Sequence, residues 1–417
     1  MRQAPARAYQ AQVDAGPVPI GRGGLSADHF HGEAVRYRVD GIREVPSPVP
    51  SDVVRVLDDG PIDRCGAHRL SVPDLWEDEA PRLPSLWCLE DAHVFGGSIR
   101  ELAWGRHQSG QLLLTSSGGI LPCSRGVLDG HWTLSADLLC AEGSGWIVNA
   151  PPSSRCLDGT YVLLGSVHTH FGHSILEGLT RAWVLPYLSA ELRASVRFLT
   201  YEPRIDAYAR EFLVRAGVPS ERIVHASAWD VVERLIVPGV AMRSHRWITS
   251  AQSEVWRRVA LNSGPPERRV FLSRSGVKNR PMSDEQQLEQ AFRSAGWEVV
   301  RPDRLAIEEQ LKLAAGAKSL AGCVGSQMYL ACFQPPGGSN IVLAPRNFFL
   351  RDDTLIASAL GHDLRIVFGG TIDFRLPKAE RVWSIDAEPV EELLRSHQVQ
   401  GPLVAGDQVL SAQADDR

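Results

Sequence analysis

Three histidines fall within six residues, at His168, His170 and His173, and Glu177 follows His173 by four positions. An imidazole titrates near neutrality, and a carboxylate beside it can orient it or share its proton. The pair therefore suits general-base chemistry on a hydroxyl. If the chain is helical from Gly172 or Ser174 onward, His173, Glu177, Thr180 and Arg181 share one polar arc. Ile175, Leu176, Leu179, Ala182 and Trp183 then occupy the opposite, apolar arc. The same spacing also occurs on the solvated face of any amphipathic helix. Position favours chemistry here, because the histidines follow the strand-like run 161–164, and ligands in open α/β sheets bind at that end of a strand.

A second constellation lies downstream. Gly325 and Ser326, followed by Gln327, form a turn between a short strand at 319–322 and an apolar helix at 328–333. A glycine there lets a phosphate approach the backbone, and a helix N-terminus offers free N–H groups; a plain tight turn has the same sequence. The strand 269–273 leads into a basic loop with Arg274, Lys278 and Arg280. Arginine grips a diphosphate with two parallel hydrogen bonds. Both features sit at expected C-terminal strand ends and could converge on one anion. Neither the dinucleotide-binding glycine fingerprint nor a P-loop occurs.

The elements needed to position these groups can be read from periodicity. Residues 1–85 are rich in Pro, Gly, Asp and Arg and read as a loop-rich appendage, with a short strand at 53–57. Short strands separated by Gly pairs follow from residue 86. From residue 161, strands at 161–165, 196–200, 222–224 and 235–237 alternate with helices, including one with Tyr208, Phe212, Leu213 and Ala216 on its apolar face and Gly217 as its stop. A helix over 249–262 precedes the linker 262–266, which divides the chain into a unit at 86–264 and a second at 265–370. In the second unit Ser283 and Gln286 predict a capping box. Strands at 297–300, 319–322 and 340–344 alternate with helices. The expectation is α/β: two Rossmann-like domains with a central cleft, plus a β-rich N-terminal segment. The tail 371–417, with a helix near 388–397, is expected to pack back on the first domain.

Composition sets outer bounds. A chain of 417 residues with 44% hydrophobic and 22% charged content reads as globular, and a net charge of −5 argues against a nucleic-acid partner. Seven scattered cysteines without a C-x-x-C pair fit reduced thiols. No signal peptide or apolar run of membrane-spanning length is visible, so a cytoplasmic location is expected, with peripheral association at the inner face of the membrane left open.

The stretch Phe171, Gly172, His173, Ser174, Ile175, Leu176 and Glu177, with Arg181, resembles the first signature of glycosyltransferase family 61, whose bacterial members include capsular polysaccharide biosynthesis proteins. The second half adds Phe271, Leu272, Ser273 and Arg274 with Arg280, then Gly296 and Trp297. Next come Glu309 and Gln310, and Gly325 and Ser326 leading to Phe333, Pro335 and Pro336. The likeness spans roughly residues 86–370. It implies a GT-B fold and inverting transfer from a nucleotide-sugar donor in the cleft to a glycan or lipid-linked glycan acceptor, without an obligatory metal or other cofactor. It further implies His173 and Glu177 as catalytic candidates and His170 and Arg181 on the acceptor side. On the donor side it implies Arg274, Glu309, Gly325 and Ser326, to which the basic loop adds Lys278 and Arg280 and the turn adds Gln327. Glu309 is the choice for a ribose contact and Glu308 its neighbouring substitute. Where many members carry a His after the Gly-Ser pair, this chain has Tyr329.

Two rival readings come from other classes. The His168, His170 and His173 cluster could be the first metal-binding element of a hydrolase, although later strand ends offer few further ligands. A non-catalytic, transferase-like protein that binds glycan is the other.

Overall fold

The computed structural model describes residues 8–12, 43–45, 53–55, 86–95, 112–114, 139–142, 145–149, 155–167, 170–201, 204–227, 230–244, 247–262, 264–277, 279–350 and 352–399. The architecture is mixed α/β with two parallel-rich sheets. The first contains β1 (Leu86–Phe95), β2 (Arg155–Gly165), β3 (Arg197–Thr200), β4 (Ile223–His225) and β5 (Asp230–Pro238), in the order β4-β3-β2-β5-β1. The four strands β2 to β5 run parallel, and β1 is antiparallel to β5. Short strands Arg43–Val45 and Leu112–Leu114 pair with β1, so the first 85 residues contribute an edge to this sheet.

The second sheet contains β6 (Arg268–Leu272), β7 (Glu298–Val300), β8 (Ala317–Cys323), β9 (Ser339–Pro345) and β10 (Asp363–Gly369), all parallel in the order β7-β6-β8-β9-β10. This is the doubly wound order 2-1-3-4-5, and its switch point lies between β6 and β8. Both strands are buried on both faces through Val270, Phe271, Leu272, Leu320 and Ala321, as a covered parallel sheet requires.

The connecting helices are α1 (Phe171–Leu176), α2 (Ala190–Ser195), α3 (Ala207–Ala216), α4 (Ser250–Val259), α5 (Glu285–Ser294), α6 (Ile307–Ala315), α7 (Asp352–Leu360) and α8 (Ala387–Val399). In α3 the expected face is inward, and Gly217 at φ 105° ends it in the left-handed conformation that glycine adopts without strain. The helix after β2 departs from expectation. It begins at Phe171 and stops at Leu176, because the N–H groups of Glu177 and Gly178 both fold back onto the His173 carbonyl. A separate 3-10 helix, Ala182–Tyr187, then carries Pro186 inside it. The predicted capping box at Ser283 does not form either; Asp284 occupies the N-cap, and the carboxylate of Glu285 turns inward to the end of β6.

One apolar core runs through both sheets. Phe212 of α3 meets Phe333 of the 3-10 helix Ser326–Phe333 at 5.5 Å between ring centroids. Helix α4, placed just before the expected linker, packs on both units through Val255, Trp256 and Val259. Its Trp256 indole donates to the Ile175 carbonyl at 3.1 Å, and Arg258 donates to the carbonyls of Ala182 and Ala216. The units therefore meet in a packed seam at this level. A second cluster covers the other face of the second sheet, where Trp383, Val390 and Leu394 join Phe271, Leu288 and Phe292. This places α8 on α5, and corrects the expectation that the tail crosses back to the first unit. No helix among the described residues is long and apolar enough to cross a membrane.

His362, which starts the turn into β10, is a test of this core. Its Nδ1 accepts from the Asn340 amide at 3.0 Å and its Nε2–H donates to the Pro335 carbonyl at 3.2 Å, so the ring is held neutral. Burial pushes its pKa down to about 4. The unfolded chain takes up this proton near pH 6.5 and the folded chain does not until about pH 4. Stability is therefore full above pH 6.5 and falls with acidification, at up to about 1.4 kcal/mol per pH unit. Urea denaturation at pH 7 and pH 5 should show a larger loss for the wild type than for His362→Gln.

Candidate functional site

The two constellations read from the sequence meet at the seam. Helix α1 leaves the C-terminal end of β2 and presents Gly172 to the turn that follows β8. A Cβ built on Gly172 would lie 2.7 Å from Ser326 Oγ and 3.0 Å from Tyr329 Cδ2. Only glycine permits that approach, since real Cβ atoms do not come within 3.0 Å of such neighbours.

One residue on, His173 Nδ1 lies 2.7 Å from Glu177 Oε2. Glu177 caps α1 rather than lying inside it, and the pair is half-buried, with the His173 side chain 35% exposed and that of Glu177 15%. The carboxylate accepts the Nδ1 proton, which leaves Nε2 as the basic nitrogen. His170 is exposed beside the pair, its ring 5.0 Å from that of His173. His168 lies outside the described residues. Among the described residues no group of three or more His, Cys, Asp or Glu is placed to hold a metal ion.

The rest of the expected polar arc turns inward. Thr180 is buried and its hydroxyl donates to the Glu177 carbonyl at 2.9 Å. Arg181 is 5% exposed, and its Nη1 donates to the Pro238 carbonyl of β5 at 2.8 Å. Its Nε fills the space a side chain on Gly165 would need. Arg181, expected on the acceptor side, thus ties β2 to β5 from a buried position.

The second unit supplies the opposite wall. Gly325 has φ 147°, and its missing side chain makes room for Arg274 Nη1, which would stand 2.9 Å from a Cβ there. Arg274 follows β6 directly. It donates through Nη1 to the Val324 carbonyl at 3.0 Å and through Nη2 to the Asn279 carbonyl at 2.8 Å, spanning the β6/β8 switch point. Arg280, at φ 55°, lies over the Phe348 ring at 4.1 Å. Burial, the Arg274 charge and the Arg381 charge lower its pKa to about 10, so it remains charged at neutral pH. Lys278 lies outside the described residues. Gln327 turns back, its amide donating to the Cys323 carbonyl. Glu309 sits apart: it is exposed, and its Oε2 accepts from the Ala306 N–H at 2.8 Å. Glu308 pairs with Lys312. Both acids of α6 are engaged by their own helix, Glu309, the expected ribose contact, as its cap and Glu308 through Lys312.

Several residues at the site had no role assigned from sequence, Tyr329 being noted there only as standing where many family members carry a His. Tyr329 lies between the two walls, buried, with its hydroxyl donating to Asp352 Oδ2 at 3.2 Å. The Ser244 hydroxyl donates to the same carboxylate. Burial, then Asp352 and Asp353, and further down Glu177 hold the Tyr329 phenol well above its usual pKa, so it stays protonated. Glu285 accepts from the backbone N–H of Arg274, and Glu289 accepts from Ser273 and Ser275, at 2.7 and 2.5 Å. These two acids fix the loop after β6. Their signal in the sequence is that Glu285, Glu289 and Phe292 share one helical arc with Leu288, which is the buried arc.

The contact at Gly172 makes a direct prediction. Gly172→Ala should destabilise the protein by ~1–3 kcal/mol through overpacking at the seam. Adding Ser326→Ala, which removes the nearest colliding atom, should recover part of that loss. Chemical denaturation of the two single variants and the double variant measures the coupling.

Residues 171–342, about two-fifths of the chain, match the family model described as Glycosyltransferase 61. A search of curated proteins found no match. The matched span opens at the first residue of α1 and closes in β9, so it holds the His173–Glu177 pair, the loop after β6 and the Gly325–Ser326 turn. The match supports a glycosyltransferase, of family 61, for the segment that builds this site.

Proposed function

We propose that the protein is an inverting glycosyltransferase, with a GT-B arrangement of two Rossmann-like domains, that moves a sugar from a nucleotide-sugar donor to a hydroxyl of a glycan or lipid-linked glycan. The observation that carries this reading is the His173–Glu177 pair at 2.7 Å, pressed by Gly172 against the Gly325–Ser326 turn of the opposite sheet. The donor would lie at the β6/β8 switch point. Its diphosphate would be neutralised by Arg274 and Arg280, with Lys278 in the same loop, and by the N–H groups that open the helix at Ser326.

In this reading His173 Nε2 takes the proton of the acceptor hydroxyl while Glu177 stabilises the imidazolium that forms. The acceptor oxygen bonds to the anomeric carbon from the face opposite the leaving group. The bond from that carbon to the phosphate oxygen breaks, and the diphosphate leaves with the electron pair. The exposed edge of His173 then returns its proton to solvent, and His170 lines the acceptor side. Charge on the leaving group is met by guanidinium groups, so the step needs no metal. The family resemblance suggests cell-surface polysaccharide, such as capsule, as the product and the cytoplasmic side of the membrane as the place.

The first test is thermal shift against UDP, GDP, CDP and CMP and their sugars, with and without a chelator. A rise with one nucleotide that is unchanged by the chelator is expected, since a ligand that binds only the folded state stabilises it. With the donor identified, His173→Ala should lower kcat by about 10²–10⁴ while the affinity for the nucleotide stays near wild type. A stability loss on chelation with no nucleotide response would instead favour the metallohydrolase.

A further inference from the structure

Four segments leave the C-terminal ends of parallel strands in the second unit and converge: the loop 274–283 after β6, the turn after β8, Phe348 after β9, and the segment 371–383 after β10. The last of these lies outside the family match. It nonetheless runs as a strap along the basic loop. The Arg280 N–H donates to the Lys378 carbonyl at 3.1 Å, the Ser283 N–H to the Trp383 carbonyl at 3.0 Å, and the Trp383 N–H to the Pro281 carbonyl at 3.2 Å. Met282 and Trp383 form a parallel bridge.

The strap carries Arg381. Its Nε donates to the Leu376 carbonyl at 2.8 Å and its Nη2 to the Phe374 carbonyl at 2.9 Å, with the guanidinium 5.4 Å from the Phe374 ring. Phe374 lies 5.9 Å from Phe348, the ring beneath Arg280. Two guanidinium groups thus bracket two aromatic rings, with Arg274 beside them. Among the described residues none of these three arginines forms a side-chain ion pair with a carboxylate. Asp373, the acid of the strap, pairs with Arg375 at 2.7 Å, and its charge also reaches Arg381. Arg280 Nε is buried with no hydrogen-bond partner. Holding three like charges together, one of them desolvated, is costly unless an anion joins them.

We propose that the strap 371–383 is a wall of the donor site and that Arg381 binds the leaving diphosphate together with Arg280 and Arg274. The inference rests on the donor reading above and adds to it a residue from beyond the matched segment. Arg381 points one fork of its guanidinium to the backbone and leaves Nη1 for the ligand. The Asp373–Arg375 pair fastens the outer side of the strap.

The test is isothermal titration of the full-length protein with inorganic pyrophosphate, and with the nucleoside diphosphate that the thermal-shift screen selects. Arg381→Met keeps the apolar stem over Phe374 and should weaken both ligands about tenfold or more, as Arg280→Met should. Arg381→Lys keeps the charge but not the planar fork, so it should weaken them less than Arg381→Met does while falling short of wild type. Arg375→Met, at the outer clasp, should bind within about twofold of wild type. If Arg280→Met weakens binding but Arg381→Met does not, the strap is not part of the site and the donor reading stands. Equal losses in the Met and Lys variants, with a lowered melting temperature, would make Arg381 a structural residue and overturn the inference. If the wild-type protein binds neither ligand, the donor reading fails and this inference fails with it.

Discussion

The close approach of α1 to the helix after β8 is the constraint on which the site depends. A backbone with no side chain at Gly172 lets Ser326 and Tyr329 come within contact distance of the turn that bears His173. Without it, the imidazole–carboxylate pair and the Gly325–Ser326 turn would stand on separate sheets with no fixed distance between them. Phe171 extends the contact by packing edge-on against Tyr208 and Phe212, and Phe212 in turn meets Phe333. Catalysis across two chain segments needs reacting groups held to within about half an ångström. Apolar packing on both sides of a glycine contact is well suited to that, because packed interiors deform little.

Tyr329 is the polar part of the same joint. It stands close to Asp352, Asp353 and Glu177 on one side and to Arg280 on the other. A protonated phenol can donate to Asp352 without adding charge to a buried acidic neighbourhood, whereas an imidazole there would gain a proton and bind Asp352 as an ion pair. The tyrosine therefore adds no charge to the joint and leaves the positive charge concentrated at Arg274 and Arg280. Ser244 donates to the same carboxylate from the segment before α4, so two distant parts of the chain share one acceptor.

Much of this was legible in the sequence because it depends on local pattern. Strand-like runs, the Gly217 stop and the His173–Glu177 spacing are set by neighbours a few residues apart. The family resemblance added the order of the motifs. What did not show was decided by tertiary contact. Arg181 has the right spacing to join His173, but the chain folds back at Gly178, where a side chain would strike the Ser174 carbonyl, and the arc is broken. Glu309 has the right neighbours for a ligand contact, yet the free Ala306 N–H three residues upstream captures it. The tail showed a helix but not its partner, because Val390 and Leu394 would fit any apolar groove and only the chain path from β10 selects α5.

The electrostatics of the second unit follow from which backbone groups are already used. The Ser273 N–H is bonded to the Val300 carbonyl and the Arg274 N–H to Glu285, so the first two donors after β6 are not open to a phosphate. The Glu285 carboxyl is held above its usual pKa by burial, and the bonds it accepts only partly offset this. In the proposed donor site an anion at the switch point would then be gripped by side chains and by the turn after β8, not by the loop after β6 as in a glycine-rich phosphate cradle. That accounts for the absence of a glycine fingerprint at residues 273–276 and for the number of arginines gathered there. It also sets a cost, since the charges of Arg274 and Arg381 both act against that of the buried Arg280. Aromatic faces at Phe348 and Phe374 reduce that cost by taking the positive charge against their π-surfaces. Phe348 and Phe374 stay half-buried at this polar edge, each under a guanidinium.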